Sequence, residues 1–256
     1  MNGKTWLIGG TSDSATVANV LITANVFPIV STATETARSL YPDRTEVAVG
    51  RMSLERMTAF CQQQNITKIV DASHPYAVDV SLQAIAVAAR LQIPYLRYER
   101  ACYQPESVKD GLKAIELDCF ERLLEGDYLL DRRVLLTIGC QALPLFKPWQ
   151  SRATLFARVL PKIESLEIAF AAGFTSDRLA AIRPPISIAM ETALWQQWQI
   201  SLVVTKASGK AGGEDIKRQV SANLGVPLII ITRPQVAYPQ QTSEISTVLN
   251  FCQRSL

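Results

Sequence analysis

The chain contains a single histidine, His74, which lies in the segment DASHPYA (residues 71–77) directly after a short apolar run. An imidazole titrates near neutral pH, so it can donate a proton to a substrate or contact a bound cofactor. Pro75 would make this loop rigid, and the loop as a whole is more informative than any one of its residues. The alternative is structural, because a histidine beside a proline can also cap the following helix through its backbone.

A turn formed by Gly9 and Gly10 lies where the first apolar run gives way to a helical pattern. Glycines at such a turn let the backbone approach a phosphate, which the N–H groups of the helix can then bind. Thr11 would lie beside that phosphate at the start of the helix. The stretch GGTSDS does not match the dinucleotide fingerprint G-x-G-x-x-G, and a Gly-Gly turn is also common for purely structural reasons.

Polar residues follow the second apolar run, where the adenine ribose of a nucleotide usually lies in a parallel α/β sheet. Glu35 could accept a hydrogen bond from a ribose 2′-hydroxyl of NADH. Ser31, Thr34 and Arg38 could instead bind the 2′-phosphate of NADPH. The residues are compatible with both nucleotides, and an ordinary solvated loop is the structural alternative.

A second polar loop, at residues 206–213, follows a later apolar run and combines glycines with two lysines. This composition is typical of a cradle for an anion. The predicted cofactor contacts in the loop are Lys206, Ser208, Gly209, Gly212 and Gly213. The spacing does not match G-x-x-x-x-G-K-[ST], so ATP hydrolysis is not supported, and a flexible surface loop is the alternative.

Three arginines, Arg97, Arg100 and Arg233, follow the strand-like runs that end the two repeated segments of the chain. Guanidinium groups at the edge of a sheet bind carboxylates through paired hydrogen bonds. Together with Lys210 they are the predicted substrate-binding residues. Solvated or structurally paired side chains are the alternative, and we expect only one or two of the arginines to reach a substrate.

The elements that must position these loops are repeated along the chain. Residues 68–100 and 201–234 each contain an apolar run, a polar loop, a helical stretch, a Val/Ile-Pro step, a second apolar run and an arginine. Strands that alternate with helices predict parallel sheets with right-handed crossovers. We therefore predict an α/β protein with two similar lobes, residues 1–130 and 131–256, each a mainly parallel sheet flanked by helices. Their polar loops would face each other across a ligand-binding cleft.

Five strands are predicted in each half of the chain. Those of the second half are Val134–Ile138, Thr154–Val159, Ser187–Met190, Leu202–Thr205 and Leu228–Ile231. The helices predicted between them are Ile163–Ala172, Ser176–Ile182, Thr192–Trp198 and Gly213–Asn223.

The composition excludes several classes of protein. With 256 residues, of which 48% are apolar and 19% charged, the chain can build a substantial core. Its net charge of +3 is too small for a nucleic-acid-binding face. No apolar run is long enough to cross a bilayer and no signal peptide is recognisable, so we expect a cytoplasmic protein. Five scattered cysteines and one histidine provide too few clustered ligands for a zinc or iron–sulfur site, so no metal site is predicted.

Several motifs, taken in order, resemble the precorrin-6A reductase family, which includes the cobalt-precorrin-6A reductases of cobalamin biosynthesis. They are WLIGGTSDS at the start, VDASHPYA with IPYLRYER, FARVLP, and VTKASGKAGGEDIK with GVPLIIITRP. The resemblance covers nearly the whole chain. This chain has Ser73 and Tyr76 where members usually have Thr and Phe, and residues 31–38 lack the glycine of the common S-x-A-G-R.

The resemblance implies two Rossmann-like lobes with the active site in the cleft between them. It also implies hydride transfer from NADPH or NADH to a double bond of precorrin-6A or cobalt-precorrin-6A, giving the 6B product. The cofactor carries the hydride, and the protein must orient it and exclude water. Gly9, Gly10 and Thr11 would then hold the pyrophosphate, and the loop with Ser73 and His74 would lie along the nicotinamide.

The resemblance also implies a proton donor, which would be His74, Tyr76 or water. The substrate is a macrocycle bearing several carboxylates, which suits the arginines and lysines at the strand ends. Two other functions stay open: a two-lobed small-molecule binding protein, and a tetrapyrrole enzyme that uses no nicotinamide. In each case the partner is a small molecule rather than nucleic acid or membrane, and we expect a monomer or a small homo-oligomer.

Overall fold

A computed structural model describes residues 3–101 and 114–254 of the chain. The described residues form two compact units. The first unit contains the residues up to Ala101 together with those from Pro234 onward, and the second contains the residues between them. Each unit is built on a six-stranded sheet of its own.

The first unit combines six strands with five α-helices. The strands are β1 (Lys4–Ile8), β2 (Ile29–Thr32), β3 (Val47–Val49), β4 (Ile66–Asp71), β5 (Tyr95–Tyr98) and β12 (Gln241–Thr242). The helices are α1 (Ser12–Thr23), α2 (Glu35–Arg38), α3 (Leu54–Gln63), α4 (Val78–Leu91) and α9 (Ile245–Gln253). Neighbouring strands pair in parallel in the order β12-β5-β4-β1-β2-β3.

The central strands of this sheet are apolar on both faces because helices cover both faces. Along β1, Leu7 packs in one buried cluster with Val248 of α9. Its neighbours Trp6 and Ile8 belong to a second buried cluster with Val87 of α4. Since successive side chains of a strand point to opposite faces, this alternation places one apolar layer on each side of the sheet.

The second unit repeats this architecture. Its strands are β6 (Ile115–Leu117), β7 (Arg133–Thr137), β8 (Thr154–Val159), β9 (Leu179–Ala181), β10 (Leu202–Lys206) and β11 (Leu228–Ile231). Its α-helices are α5 (Phe120–Glu125), α6 (Ile163–Ala171), α7 (Ile188–Gln197) and α8 (Glu214–Leu224), and a 3-10 helix spans Cys140–Trp149. The parallel strand order is β6-β11-β10-β7-β8-β9. None of the described helices combines the length and the apolar character that crossing a membrane requires.

The two sheets share one topology. The strands can be numbered along the chain from β1 in the first unit and from β7 in the second. Starting at one edge, both sheets then have the strand order third, second, first, fourth, fifth. This is the strand order of a Rossmann-like fold. The predicted α/β class, with two lobes that each contain a parallel sheet flanked by helices, is confirmed.

The observed division of the chain differs from the predicted lobes of residues 1–130 and 131–256. Strand β6 precedes residue 130 but pairs with β11, so the residues from 114 to 130 belong to the second unit. Strand β12 pairs with β5, and Lys68 Nζ donates to the carbonyl of Cys252 at 2.7 Å, which returns the C-terminal segment to the first unit. Edge strands of two and three residues are too short for a periodic pattern to reveal.

Two local predictions in the second unit are wrong. Residues 176–182, predicted as a helix, contain a 3-10 turn followed by β9, which pairs with β8. Residues 187–190, predicted as a strand, begin α7, where Ser187 Oγ accepts a hydrogen bond from the N–H of Met190 at 3.2 Å. Pairing with a neighbouring strand overrides helical propensity in the first case. In the second case the serine is a helix cap.

Candidate active site

In each sheet the strand order reverses between two neighbouring strands, and parallel α/β proteins bind ligands outside the carboxyl ends of those strands. In the first unit the two strands are β1 and β4, which lead into the Gly9–Gly10 turn and the His74 loop. In the second unit they are β7 and β10, and β10 leads into residues 206–213, here called the glycine-rich loop. The predicted catalytic residues and most predicted cofactor contacts therefore lie at the reversal point of one unit or the other.

The shape of the Gly9–Gly10 turn is set by Tyr41. The Tyr41 hydroxyl accepts a hydrogen bond from the N–H of Gly10 at 2.7 Å and lies 2.6 Å from Ser14 Oγ. A Cβ on residue 9 would be 2.2 Å from that hydroxyl, and the φ of Gly10 is +99°. Burial raises the pKa of Tyr41, so the hydroxyl stays protonated. Gly9 is required by local packing and Gly10 is favoured by its positive φ, and the Gly10 N–H is already bonded to a side chain.

Thr11 joins the ends of β1 and β4. Its Oγ1 accepts from the N–H of Ser14 at 3.0 Å, and Ser14 Oγ accepts from the N–H of Thr11 at 3.0 Å, which makes a capping box at the start of α1. Thr11 Oγ1 also donates to the carbonyl of Ala72 at 3.0 Å, so the first turn of α1 lies next to the His74 loop. The N–H groups of a first helical turn have no intrahelical partner and attract an anion.

His74 is exposed at this reversal point. Its Nδ1 accepts a hydrogen bond from the N–H of Tyr76 at 3.3 Å, and the two rings are 5.7 Å apart. With Nδ1 as the acceptor, the neutral imidazole carries its proton on Nε2, which can then be a donor. The residue at the N-cap of α4 is Ala77, and the His74 carbonyl accepts a hydrogen bond from the Ala77 N–H at 2.8 Å, so the backbone of His74 also supports the start of the helix.

A buried charge network lies beneath the His74 loop. Asp71 and Arg97 are both fully buried, and Arg97 Nη1 lies 2.9 Å from Asp71 Oδ1. The same Nη1 donates to Ser73 Oγ at 3.0 Å, while Arg97 Nε and Nη2 donate to Glu99 at 3.1 and 2.9 Å. The prediction that Arg97 binds substrate is therefore corrected, because its guanidinium is enclosed and bonded within the unit. The hydroxyl of Ser73, a predicted cofactor contact, is likewise directed to Arg97.

Two tyrosines complete this network. Asp71 Oδ2 accepts from the hydroxyls of Tyr95 at 2.7 Å and Ser81 at 2.6 Å. Burial, together with the charge of Asp71, raises the pKa of Tyr95. Tyr238 stacks on Tyr95 with ring centroids 6.5 Å apart, and its centroid is 5.4 Å from Cζ of Arg97. The base of the His74 loop is thus anchored by β4, β5, α4 and the segment that leads into β12.

The predicted contacts for a 2′-phosphate differ in accessibility. Ser31 Oγ accepts from Trp6 Nε1 at 2.9 Å in the interior, so Ser31 has a structural role and its prediction as a cofactor contact is corrected. Thr34 is exposed at the start of α2, and Arg38 is exposed on that helix. Arg38 Nη1 lies 3.6 Å from Glu35 Oε1, and this pair is open to solvent.

A cavity of about 470 Å³ adjoins α2 and is lined in part by Glu35, Arg38, Tyr41, Pro42 and Thr45. The volume falls in the range of small-molecule pockets. Because Tyr41 lines the cavity and also bonds the Gly9–Gly10 turn, cavity and turn are adjacent. Thr45 Oγ1 is buried and has no hydrogen-bond partner in the part of the chain that the structure describes.

Arg100 lies at the same end of the first sheet. Its Nη1 is 2.7 Å from Asp13 Oδ1 in the first turn of α1, and the two side chains are 25% and 26% exposed. An acidic residue in the first turn is favoured by the helix dipole. Arg100 is therefore accessible next to the Gly9–Gly10 turn, in contrast to Arg97.

In the second unit, the glycine-rich loop is closed by its own hydrogen bonds. The N–H of Gly212 donates to the carbonyl of Gly209 at 3.0 Å, and that of Gly213 donates to Lys210 at 2.9 Å. The N–H of Ser208 donates to the carbonyl of Lys206 at 2.7 Å. These N–H groups are not directed at an anion, so the predicted backbone cradle is not formed by Ser208, Gly212 and Gly213.

Two buried charged residues of α8 hold this loop. Glu214 Oε2 accepts from the N–H of Gly209 at 2.9 Å, so this N–H is not part of a cradle either. Lys217 Nζ donates to the carbonyls of Gly212 and Gly213 at 2.6 and 3.1 Å. Glu214 and Lys217 are each 2% exposed; Glu214 fixes the middle of the loop at Gly209, and Lys217 fixes its C-terminal end.

The side chains of the loop provide its accessible charge. Lys210 is exposed, and Lys206 is partly buried with its Nζ 5.6 Å from the ring centroid of Phe120. Burial lowers the pKa of Lys206. Arg233 is 7% exposed and its Nε donates to the carbonyl of Ala207 at 3.0 Å, so it supports the loop from behind.

Among the residues with clear roles in these sites that were not identified from the sequence are Tyr41, Glu214 and Lys217. Tyr41 lies in a loop without a periodic pattern, and no local signal connects it with Gly9. Glu214 and Lys217 lie one helical turn apart directly after the glycines, so their spacing on α8 was a usable signal.

The chain matches, over residues 4–253, the family model described as "Precorrin-6x reductase CbiJ/CobK". Cobalt-precorrin-6A reductase of Synechocystis sp. is 45% identical over 256 residues, covering 98% of this chain and 96% of the relative. Cobalt-precorrin-6A reductase of Priestia megaterium is 32% identical over 249 residues, covering 95% of this chain and 96% of the relative.

A solved structure named "CobK precorrin-6A reductase" superposes with a TM-score of 0.80 at 22% identity, covering 97% of this chain and 96% of that one. This similarity shows the fold, in agreement with the two strand orders described above. The resemblance of the sequence motifs is confirmed by the family match, and the chain belongs to the precorrin-6x reductase family.

Proposed function

We propose that this protein reduces a carbon–carbon double bond of cobalt-precorrin-6A, with NADPH as the hydride donor, in cobalamin biosynthesis. One hydride from the nicotinamide and one proton add across the double bond, and NADP⁺ is released. The proposal is carried by one observation: the Gly9–Gly10 turn and the His74 loop meet at the reversal point of a Rossmann-like sheet, joined by the bond from Thr11 to Ala72.

The residues of the first unit fit a dinucleotide. A side chain at Gly9 would collide with Tyr41, and Gly10 leaves the approach to α1 open, since a Cβ there would meet only the Cβ of Ala37 at 3.9 Å. The first turn of α1 would bind the pyrophosphate through its N–H groups, with Thr11 at the cap. When bound, the nicotinamide supplies the hydride.

The choice of NADPH rests on Arg38. This arginine is exposed and lines the cavity that adjoins the Gly9–Gly10 turn. A guanidinium binds a phosphate through charge-assisted hydrogen bonds, whereas Glu35 would repel one. The ion pair between them is exposed and long at 3.6 Å, so Arg38 can exchange it for a 2′-phosphate at little cost.

His74 is the proposed proton donor. Its ring is exposed at the reversal point, and its Nδ1 accepts from the Tyr76 N–H, which leaves Nε2 to carry the proton. The network of Asp71, Ser73 and Arg97 holds the loop from below and would limit its movement as a substrate binds. Tyr76 would then support the imidazole rather than donate the proton itself.

We assign the carboxylates of the substrate to Arg100 in the first unit and to Lys206 and Lys210 in the second unit, all of which are at least partly accessible. Since the glycine-rich loop uses N–H groups internally, we assign it to substrate carboxylates rather than to the cofactor phosphates. The cobalt form is favoured by the names of the relatives that are 45% and 32% identical.

The test is a turnover assay with purified protein, in which precorrin-6A and cobalt-precorrin-6A are each incubated with NADPH or NADH. We expect oxidation of the nicotinamide and a product two hydrogens heavier, fastest with cobalt-precorrin-6A and NADPH. Binding of the tetrapyrrole without any oxidation of the nicotinamide would instead indicate a binding protein. Binding of neither NADPH nor NADH would favour a nicotinamide-independent enzyme.

A further inference from the structure

The turn that ends the glycine-rich loop is held from the inside of the second unit by an ammonium group. Lys217 reaches back from α8, and its Nζ bonds the carbonyls of Gly212 and Gly213. It is 2% exposed, so this contact is made where water cannot compete. Gly213 has φ of +69°, a conformation that favours glycine and makes a tight turn possible.

Gly212 in turn supports Ser208. A Cβ built on Gly212 would lie 2.0 Å from Ser208 Oγ, so the two residues are in direct contact and the absence of a side chain is essential there. Ser208 is connected to Lys206 by its N–H bond to the Lys206 carbonyl at 2.7 Å. A continuous series of contacts therefore connects the Lys217 ammonium, through Gly212 and Ser208, with the backbone of Lys206.

The middle of the loop is fixed by Glu214, which bonds the Gly209 N–H and is itself paired with Arg218, whose Nη2 lies 2.9 Å from Glu214 Oε1. The charged groups that face Lys217 are Arg158, Glu191, Glu214 and Asp215. Arg158 forms an ion pair with Glu191 in the same buried cluster. The loop is thus attached to this charged cluster at its middle and at its C-terminal end.

We propose that Lys217 is a positioning residue, which fixes the Gly212–Gly213 turn so that Ser208 and Lys206 are presented in one orientation to a carboxylate of the substrate. The inference rests on the proposed function, because it assigns the glycine-rich loop to the tetrapyrrole. Loss of the contact would leave the two carbonyls unbonded and the turn free to change shape. Binding of the tetrapyrrole would suffer, while the nicotinamide site in the first unit would not.

The experiment compares Lys217→Met with Lys217→Arg, which keeps a positive charge, and with Lys68→Met as a matched control. Lys68 is also a buried lysine, 7% exposed, and its Nζ also bonds a backbone carbonyl, that of Cys252 in the first unit. Both methionine variants lose a buried ammonium, but only one of the two lysines contacts the glycine-rich loop. Thermal unfolding identifies the variants that are folded at the assay temperature.

We expect Lys217→Met to raise the KM for cobalt-precorrin-6A about tenfold, with the KM for NADPH and kcat within about twofold of the wild type, and Lys217→Arg to restore part of the loss. Lys68→Met should leave both KM values unchanged. Equal kinetics of the two methionine variants would overturn the proposal.

Amide hydrogen exchange provides a readout that does not depend on the reaction. The amides of Gly212, Gly213 and Glu214 should exchange faster in Lys217→Met than in Lys68→Met, and unchanged exchange would overturn the proposal even if the enzyme turned over. If the wild type did not reduce the tetrapyrrole, the proposed function would fail, while faster exchange at these amides would still establish the positioning contact.

Discussion

Asp71 and Arg97 are directly paired across β4 and β5, and their side chains form an ion pair of 2.9 Å with no exposure to solvent. Residues paired in register across parallel strands direct their side chains to the same face of the sheet. The guanidinium therefore points to the carboxylate and to Ser73 rather than to a ligand. This pair makes the end of β4 a fixed base from which the His74 loop projects.

Replacing Arg97 by Met should strongly destabilise the protein. The substitution leaves the Asp71 carboxylate buried without its cation, and breaking one side of a buried pair typically costs about 3–5 kcal/mol. Urea denaturation measures the change in the free energy of unfolding. The control is Arg122→Met, since the Arg122–Asp118 pair is long at 3.5 Å and about two-thirds exposed (67% and 65%). A loss in Arg97→Met no larger than in the control would contradict the assigned role.

Replacing Gly9 by Ala should destabilise the Gly9–Gly10 turn through a collision with Tyr41. The new Cβ would lie 2.2 Å from the Tyr41 hydroxyl, and such overpacking costs about 1–3 kcal/mol. A second substitution, Tyr41→Phe, removes the oxygen atom with which the new Cβ collides. The double variant should therefore lose less free energy of unfolding than the two single variants added together. Strictly additive losses would mean that Tyr41 does not set the shape of the turn.

The fold could be predicted largely from the sequence because its central strands carry a clear signal. The runs around Leu7 and Val134 are continuously apolar, which is typical of strands buried on both faces. The short edge strands β6 and β12 carry no such signal, since they are defined by hydrogen bonds to strands distant in the sequence. The division of the chain into units depends on these two strands, and the predicted boundary therefore differs from the observed one.

The candidate site was predictable to a smaller extent. The sequence places Gly9, Gly10 and His74 after strands, and the topology then brings them to one edge of the first sheet. It also places Arg97 at the end of a strand, but position along a strand does not reveal which face a side chain points to or which group it meets. The same limit applies to Ser31, whose hydroxyl is bonded to Trp6 in the interior.

Replacing His74 by Ala should reduce kcat by about 10²-fold if the imidazole donates the proton, because general acid catalysis typically contributes 10²–10⁴-fold. The KM for NADPH should change little. The pH dependence of kcat between pH 6 and 8 should also differ from that of the wild type. Tyr76→Phe is the control, since it keeps the backbone N–H that bonds His74 Nδ1. An unchanged rate across this pH range would leave His74 with a structural role.

Replacing Arg38 by Ala should weaken NADPH without affecting NADH. A hydrogen bond to a charged group contributes about 1.5–3 kcal/mol, which corresponds to a rise of roughly 10- to 100-fold in the KM for NADPH. Arg44→Ala is the control, because Arg44 is an exposed arginine nearby that does not line the cavity. Equal losses for both nucleotides would mean that Arg38 does not contact the 2′-phosphate.

Lys217 should make the stability of the protein depend on pH in a defined window. Burial lowers the pKa of Lys217 from 10.5 to about 8, so between these values the unfolded chain binds a proton that the folded chain has lost. Stability rises with pH wherever the unfolded state binds more protons. The free energy of unfolding of the wild type should therefore increase relative to that of Lys217→Met by about 3 kcal/mol from pH 8 to 10.5. Urea denaturation of both proteins at several pH values measures this difference. Because the two proteins share all their other titratable groups, the contributions of those groups cancel in the difference. Parallel curves for the two proteins would show that Lys217 titrates at the same pH in the folded and the unfolded chain.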